Sequence, residues 1–438
     1  MKKQITIKQT QDRLITPSGL LLVGALLNKT GLGKLLNRLG ESKVKHQNAS
    51  CVIPIIGMLC QGKTAYEDIR EMQEDADFCC SALHINTIPS AETVRQRIDS
   101  LAADIAASDM VMRESVVMLQ KTGMKPTPAF TGHVPVDIDV SVHDNSNTKK
   151  EGVERTYMGI DGYAPIYAYI GEEGYVCNVK LRDGGSHSQC KGTVEFLEDT
   201  LCLAKQMTCE KLLVRMDSGN DALDNIKLFI GENVDFLIKR NLRKESVENW
   251  LKIAKEHGVK ENPREGKTVY TGSISRSKDF KEDLRIVFKV TVRTMRADGQ
   301  LLLTPHIDVQ TWWTSLECSE EDIIRLYREH ATCEQFHAEI KSDIGLERFP
   351  SGNFDTNAAI LKLAAFSYNI LRIVGQSALG GGERLTRHKV SRLRAKTVIQ
   401  RFMLIAGRVI SHARQTFLTL GRSNIWRDAF TRMYESFG

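Results

Sequence analysis

With 438 residues, 42% of them hydrophobic and 26% charged, the chain has the composition of a globular protein with room for two or three domains. Its net charge of +6 is modest but unevenly spread: residues 384–438 carry many Lys and Arg against only Asp428 and Glu435, and a second basic excess runs from Lys239 to Arg296. Such clustering suits a polyanion such as DNA, and equally a solvated face. The start, Met1-Lys-Lys-Gln-Ile-Thr-Ile-Lys, has no apolar leader core, and the runs Gly19–Leu27 and Cys51–Cys60 are too short to cross a bilayer, so no export and no membrane span are expected. The ten cysteines (51, 60, 79, 80, 177, 190, 202, 209, 318 and 333) form no C-x-x-C pair and have no His at zinc-ligand spacing, and read as reduced, mostly buried thiols of a cytosolic protein.

Residues 1–130 read as a helical domain. Pro17-Ser-Gly-Leu-Leu-Leu-Val-Gly-Ala-Leu-Leu-Asn opens one apolar helix, Val52–Leu59 lies in a second and Thr64-Ala-Tyr-Glu-Asp-Ile-Arg starts a third. Ser90 is an N-cap candidate for a short basic helix carrying Arg95 and Arg97, either a DNA-reading helix or a bundle helix.

From Val134 the pattern changes to strands. In Val134-Pro-Val-Asp-Ile-Asp-Val-Ser-Val-His143 the aliphatics alternate with Asp137 and Asp139, so a period-2 strand puts both carboxylates on one face. Two acids side by side on a strand otherwise built for burial call for a metal ion or a basic partner, unless the strand is an edge with a solvated acidic face. Pro165–Ile170 and Tyr175–Leu181 follow at hairpin distances, then an amphipathic helix over Val194–Gln206 and a buried strand, Lys211-Leu-Leu-Val-Arg-Met-Asp217. Strand ends are where ligands collect in open α/β sheets, so Asp217 is placed to meet the first acids; its other reading is an N-cap for the helix near Ala222. Residues 131–240 are thus the first part of a mixed α/β core, and 241–315 read as a basic β-rich insertion ending on Trp312-Trp313.

Ser319-Glu-Glu-Asp322 marks a helix start, and the helical pattern runs without Gly or Pro to Ser342. Tyr327, His330, Glu334, His337 and Lys341 recur at intervals of three and four and share one face, either functional or a salt-bridged surface. Asp355–Val374 is a mostly apolar core helix. Residues 316–378 complete the core, and a basic helical region, set off by Gly380–Gly382 near its start, occupies 379–438.

In this order the segments resemble the DDE transposases of bacterial insertion sequences, most closely the 1380 family of insertion sequences. The resemblance rests on Val-Asp-Ile-Asp-Val-Ser (136–141), Asp-Gly-Tyr-Ala-Pro-Ile-Tyr (161–167), Arg-Met-Asp-Ser-Gly (215–219) and the signature Tyr, two residues, Arg, three residues, Glu, six residues, Lys. That signature falls on Tyr327, His330, Glu334 and Lys341, so His330 occupies the Arg position, with Arg328 close by.

The resemblance implies an RNase H-like, retroviral-integrase-like core with Asp139, Asp217 and Glu334 as catalytic triad; Asp137, on the same strand face two residues earlier, is the alternative first acid and a further candidate metal ligand. It implies two Mg²⁺ ions (Mn²⁺ able to substitute), held by hard oxygen ligands, since two such ions can activate the attacking oxygen and stabilise the leaving one in phosphodiester chemistry. Tyr327, Arg328, His330, Lys341, Arg95 and Arg97 are the expected DNA contacts. Trp312 and Trp313 either stack on a flipped base or pack beneath the sheet. The expected activity is cleavage at the ends of an element and transfer of its 3′-hydroxyl into target double-stranded DNA, by at least a homodimer, on the bacterial nucleoid in the cytoplasm. A nuclease or resolvase without strand transfer, or a DNA-binding derivative with a dead centre, are the rivals.

Overall fold

The computed structural model describes residues 5–40, 46–186, 192–276, 284–382, 385–412 and 415–438. The chain divides into two compact units, Lys125–Ala338 and Met1–Met124 with Glu339–Gly438. Cys190 lies outside the described residues; of the other cysteines Cys51, Cys60, Cys79, Cys177 and Cys333 are buried, and Cys202 and Cys209 are exposed.

The unit Lys125–Ala338 is built on a mixed sheet. Its strands are β1 (Val134–Val140), β2 (Ile166–Ile170), β3 (Tyr175–Lys180), β4 (Leu212–Met216), β5 (Asp235–Lys239), β6 (Gly258–Arg264), β7 (Lys267–Arg276), β8 (Leu284–Met295) and β9 (Leu301–Thr314). Among the described residues they form one sheet of nine in the order β6-β7-β8-β9-β5-β4-β1-β2-β3. β1 is parallel to β4, and β4 to β5; the remaining pairs are antiparallel. β1 is therefore central, and Val134 to Ile138 are all buried. The solvated edge strand is ruled out.

The basic insertion expected over 241–315 is no separate body. Trp312, Trp313 and Thr314 of β9 pair with Lys239, Ile238 and Leu237 of β5, so β6–β9 continue the core sheet. The sequence could not reveal this, because the pairing joins strands some seventy residues apart.

Four helices matter here: α1 (Thr193–Met207), α2 (Leu223–Gly231), α3 (Val247–His257) and α4 (Glu320–His330), the last followed by the short α5 (Cys333–Ala338). Ser319 caps α4, its side chain accepting from the Asp322 amide at 3.2 Å, with Glu320, Glu321 and Asp322 in the first turn opposing the helix dipole. Ile323, Ile324 and Leu326 bury themselves against Leu213, Leu237, Val287 and Trp312, which holds α4 on the sheet.

The continuous helix expected to Ser342 is broken. After His330 the amides of Ala331, Thr332, Glu334 and Gln335 bond three residues back, to Arg328, Glu329, Ala331 and Thr332, and a π-helical turn takes over at Glu339–Asp343. The buried Arg215 Nη1 takes the Leu326 carbonyl at 2.8 Å, giving that oxygen a partner from outside the helix.

In the other unit, Ser90 does cap the helix Ala91–Ala107, accepting from the Thr93 amide. At 17 residues that helix is longer than a short recognition helix, and Thr356 Oγ1 of the helix Phe354–Leu379 donates to its Asp99 at 2.7 Å. Phe354–Leu379 is long and apolar enough to cross a membrane, but 89% of its most apolar window is buried in the protein. The C-terminal region is not purely helical: Gly407–His412 and Gln415–Leu420 form a three-stranded sheet with Arg13–Ile15. Residues 339–438 thus join the N-terminal helices in one unit, where the sequence reading had put a core segment to 378 and a separate tail.

Candidate active site

Parallel pairing sets the site. β1 and β4 run side by side with Asp137 opposite Arg215 and Ile138 opposite Met216. Asp139, still paired with Tyr167 of β2, and Asp217, just past the end of β4, follow one residue on.

Asp137 and Asp139, two residues apart, sit in opposite chemistry. Arg215 grips Asp137 through Nε to Oδ1 at 2.6 Å and Nη2 to Oδ2 at 2.7 Å, and His330 Nδ1 approaches Oδ1 at 2.9 Å. Both ion-pair side chains are about 95% or more buried, at 5% and 3% exposure. Burial alone would raise this carboxyl; the Arg215 charge and His330 outweigh it and hold it at about 2.

Asp137, expected from the sequence as a further metal ligand, is held here by Arg215 and His330. Donor atoms of Asp137, His330 and Cys333 do lie within 4.8 Å of one another, the one such group of three among the described residues. Yet both carboxylate oxygens are already engaged, a buried guanidinium repels a cation there, and burial drives the Cys333 thiol up, away from a thiolate.

Asp139 is half-buried. Its Oδ1 accepts from the Val140 amide at 2.8 Å and its Oδ2 meets His337 Nε2 at 3.2 Å. A carboxylate only accepts, so Nε2 carries the hydrogen, and in the neutral ring Nδ1 accepts the Tyr169 hydroxyl at 3.0 Å. Against the upward pull of burial, His337 lowers the Asp139 pKa. Asp217 starts the turn Ser218–Asn220 and accepts from Asn220 Nδ2 at 2.7 Å; it caps that turn and not α2, whose N-cap position is Ala222. Burial first and the Asp139 charge second push its pKa up. Glu334, in the first turn of α5, is exposed, and among the described residues its carboxylate has no partner.

These three acids line one cavity of about 620 Å³. They are not collapsed into a cluster: none of the groupings within 4.8 Å contains them. The same cavity is bordered by Lys239, Lys267, Lys289, Arg293 and Arg328. The register explains how: Lys267 is opposite Arg293, Lys289 opposite Gln310, and Trp312 opposite Lys239, so one face of four adjacent strands is polar and largely basic. Burial first, and then the neighbouring Arg328 and Lys267 charges, depress the Lys289 pKa.

Of the remaining candidates, Tyr327 and His330 border the cavity, Tyr327 with Lys239 Nζ 6.0 Å above its ring and its phenol pushed up by burial and by Asp217 and Asp139. Lys341 belongs to the other unit and pairs with Glu347 at 3.4 Å. Arg95 is tied within its own helix to Glu92 and Asp99, and Arg97 reaches Asn48 Oδ1 at 3.4 Å. Trp312 and Trp313 are 1% and 5% exposed, Trp312 against Tyr327 and Trp313 under Arg240 with its Nε1 on Asp221. Both are buried in the sheet, and Trp312 also borders the cavity of the three acids. Sequence reasoning put His337 on the shared helix face, Arg215 in the 215–219 motif and the lysines in a basic stretch, but gave none of them a role in the site. The strand alternation Lys289, Thr291, Arg293 would have exposed the basic face, and His337 sits three residues past Glu334.

The carboxylates fit a divalent metal. All three are oxygen donors on separate elements, and Asp139 and Asp217 are near enough for one to perturb the other's proton affinity, a repulsion that a hard cation relieves.

Residues 1–437 match the family model described as Transposase DDE domain group 1, and the chain belongs to that family. It is a DNA transposase, a polynucleotidyl transferase of a family that works with divalent metal ions. A cryo-EM structure of a piggyBac transposase synaptic complex with hairpin DNA is similar to this chain at a TM-score of 0.38 and 11% identity, over 88% of this chain and 78% of that one. No curated protein matches the sequence.

Proposed function

We propose that this transposase belongs to the 1380 family of insertion sequences and that Asp139, Asp217 and Glu334 are its metal-binding triad on an RNase H-like core. The observation that carries the proposal is the gathering of these three carboxylates around one cavity whose other wall is basic. Asp139, Asp217 and Glu334 would hold divalent cations, taken to be Mg²⁺, whose charge would favour both the attacking and the leaving oxygen of phosphodiester chemistry.

The chain's own residues do the rest. Lys239, Lys267, Lys289, Arg293 and Arg328 hold DNA phosphates, with Arg328 taking the phosphate contact that the signature assigns to the position of His330. Tyr327 borders the scissile phosphate, and Lys341 contacts the DNA backbone. The Asp137–Arg215–His330 cluster fixes β1, β4 and α4 relative to one another. His337 orients Asp139, with Tyr169 behind it. The reaction is hydrolysis at each element end, freeing a 3′-hydroxyl, followed by attack of that hydroxyl on target DNA. Two ends must be brought together, so the working form is a homodimer or larger, acting at the bacterial nucleoid. The helical segment 1–130, Arg95 and Arg97 included, and the basic 379–438 are the candidate end-binding regions.

The test uses duplexes ending in the inverted repeats that bracket the coding region. Wild-type protein with Mg²⁺ should cut them and join a precleaved end to target DNA, whereas Asp139→Asn, Asp217→Asn and Glu334→Gln should bind the same ends and do neither. Cutting retained by a triple variant refutes the triad; cutting without joining makes the protein a nuclease.

A further inference from the structure

The hairpin of β8 and β9 leads away from the cavity of the three acids. Residues directly opposite one another share a face of a sheet, and Arg264 of β6 stands opposite Lys267 of β7, Lys267 opposite Arg293 of β8, and Arg293 opposite His306 of β9. A basic row therefore crosses four strands, on the face that also carries Lys289. Past this row the ribbon turns apolar. Met295, opposite Leu301, keeps the same face, and between that pair and the pair Arg293–His306 β8 takes two residues where β9 takes five, a bulge that carries Leu303. Leu301 is 73% exposed and Leu303 wholly so. The tip is tied down: the Arg296 amide donates to the Gln300 carbonyl at 2.8 Å, the Thr294 amide to the Gly266 carbonyl at 2.8 Å, and Gly266 lies so close that a Cβ there would collide with that of Met295.

We infer that Leu303, with Leu301 beside it, is a wedge that enters a groove of the element-end duplex, pries apart one base step and bends the DNA. This rests on the DNA-holding role proposed above for Lys267, Lys289 and Arg293. Scattered exposed hydrophobics are ordinary, but these two stand together at the end of a cationic row, on a bulge that aims one of them outward. Such a leucine gains nothing in water. Between two base pairs it is buried on both sides, and the row of cations beside it neutralises phosphates that the bend draws together. The wedge acts well away from the chemistry. Leu303 and Trp312, which borders the cavity, are nine residues apart along β9, roughly 25–30 Å of strand, or about eight base pairs of duplex.

The experiment uses the full chain without divalent metal, so that nothing is cut, and an element-end duplex carrying 2-aminopurine at successive positions. This base brightens when it loses a stacking neighbour. Its fluorescence should rise about threefold at one step about eight base pairs from the cut. Leu303→Ser, a change at a wholly exposed side chain that leaves the fold intact, should abolish the rise and weaken binding about fivefold, whereas Leu303→Met keeps both. On a duplex mismatched at that step, which bends more easily, Leu303→Ser should bind within about twofold of wild type. No rise within about four base pairs of that position, an undiminished rise in Leu303→Ser, or the same binding defect on paired and mismatched duplexes overturns the inference. Lys267→Ala and Lys289→Ala report on the reading beneath it. If neither weakens binding, the duplex does not lie on this face and the wedge falls with that reading; if both do and no step opens, the wedge alone is wrong.

Discussion

Replacing Asp137 separates a structural carboxylate from a catalytic one. Asp137→Ala removes two hydrogen bonds of 2.6 and 2.7 Å from Arg215 and a third contact of 2.9 Å from His330. It leaves a guanidinium that is 5% exposed without its counter-ion. Stranding one member of a buried pair costs about 3–5 kcal/mol, more than most single substitutions. Asp139→Asn keeps an acceptor for the Val140 amide and relieves the repulsion on Asp217, so its stability should stay within about 1 kcal/mol of wild type. Urea unfolding followed by tryptophan fluorescence suits the measurement, because Trp250, Trp312 and Trp313 all lie in the unit that holds the pair. Adding Arg215→Met to Asp137→Ala should recover part of the loss, since the unpaired cation is gone. The reasoning is refuted if Asp137→Ala unfolds like wild type, or if Asp137→Asn folds normally yet loses cleavage while Asp139→Asn still cuts.

The same carboxylates set opposite pH dependences. Asp137, held at about 2, releases its proton more readily folded than unfolded, so its stabilisation is complete above the ordinary carboxylate range near 4 and falls away as pH drops towards 2. Asp217, pushed up by burial and by Asp139, does the reverse: its protonated form favours the fold, and that benefit is lost as pH rises through its raised pKa. Melting temperatures across pH 2–5 should therefore show the deficit of Asp137→Asn against wild type shrinking as acid protonates Asp137. Mg²⁺ added to metal-free protein should raise the melting temperature of wild type, and of Asp139→Asn or Asp217→Asn much less. Lys267→Ala and Lys289→Ala should each weaken DNA binding and lower the slope of log affinity against log salt by about 1, whatever the DNA sequence. Trp312→Ala, which empties a buried site, should cost about 3–5 kcal/mol of stability in the same urea assay, equally with and without DNA.

Much of the site was legible in local pattern. The alternation in β1, the acid closing β4 and the capped helix at Ser319 follow from periods of two and near four, which a single segment displays. Long-range pairing was not legible. Whether Asp137 or Asp139 faces the cavity depends on Arg215 standing opposite Asp137 in a strand seventy-eight residues away. The same holds for β6–β9: their basic face was visible as charge, but only the pairing of β9 with β5 turns it towards the acids. The break after His330 contains neither Gly nor Pro, and the capture of the Leu326 carbonyl by Arg215 leaves no trace in the helix's own sequence. Trp312-Trp313 stayed ambiguous for a related reason, because an aromatic pair at a strand end reads alike whether it faces solvent or the sheet.

The most direct test is a Mn²⁺ titration of the protein bound to an element-end duplex, with free Mn²⁺ read by electron paramagnetic resonance. Wild-type protein should take up two ions per chain, and Asp139→Asn, Asp217→Asn and Glu334→Gln should each lose at least one, while Asp137→Asn retains both. Undiminished uptake by the three triad variants, or a loss confined to Asp137→Asn, would contradict it.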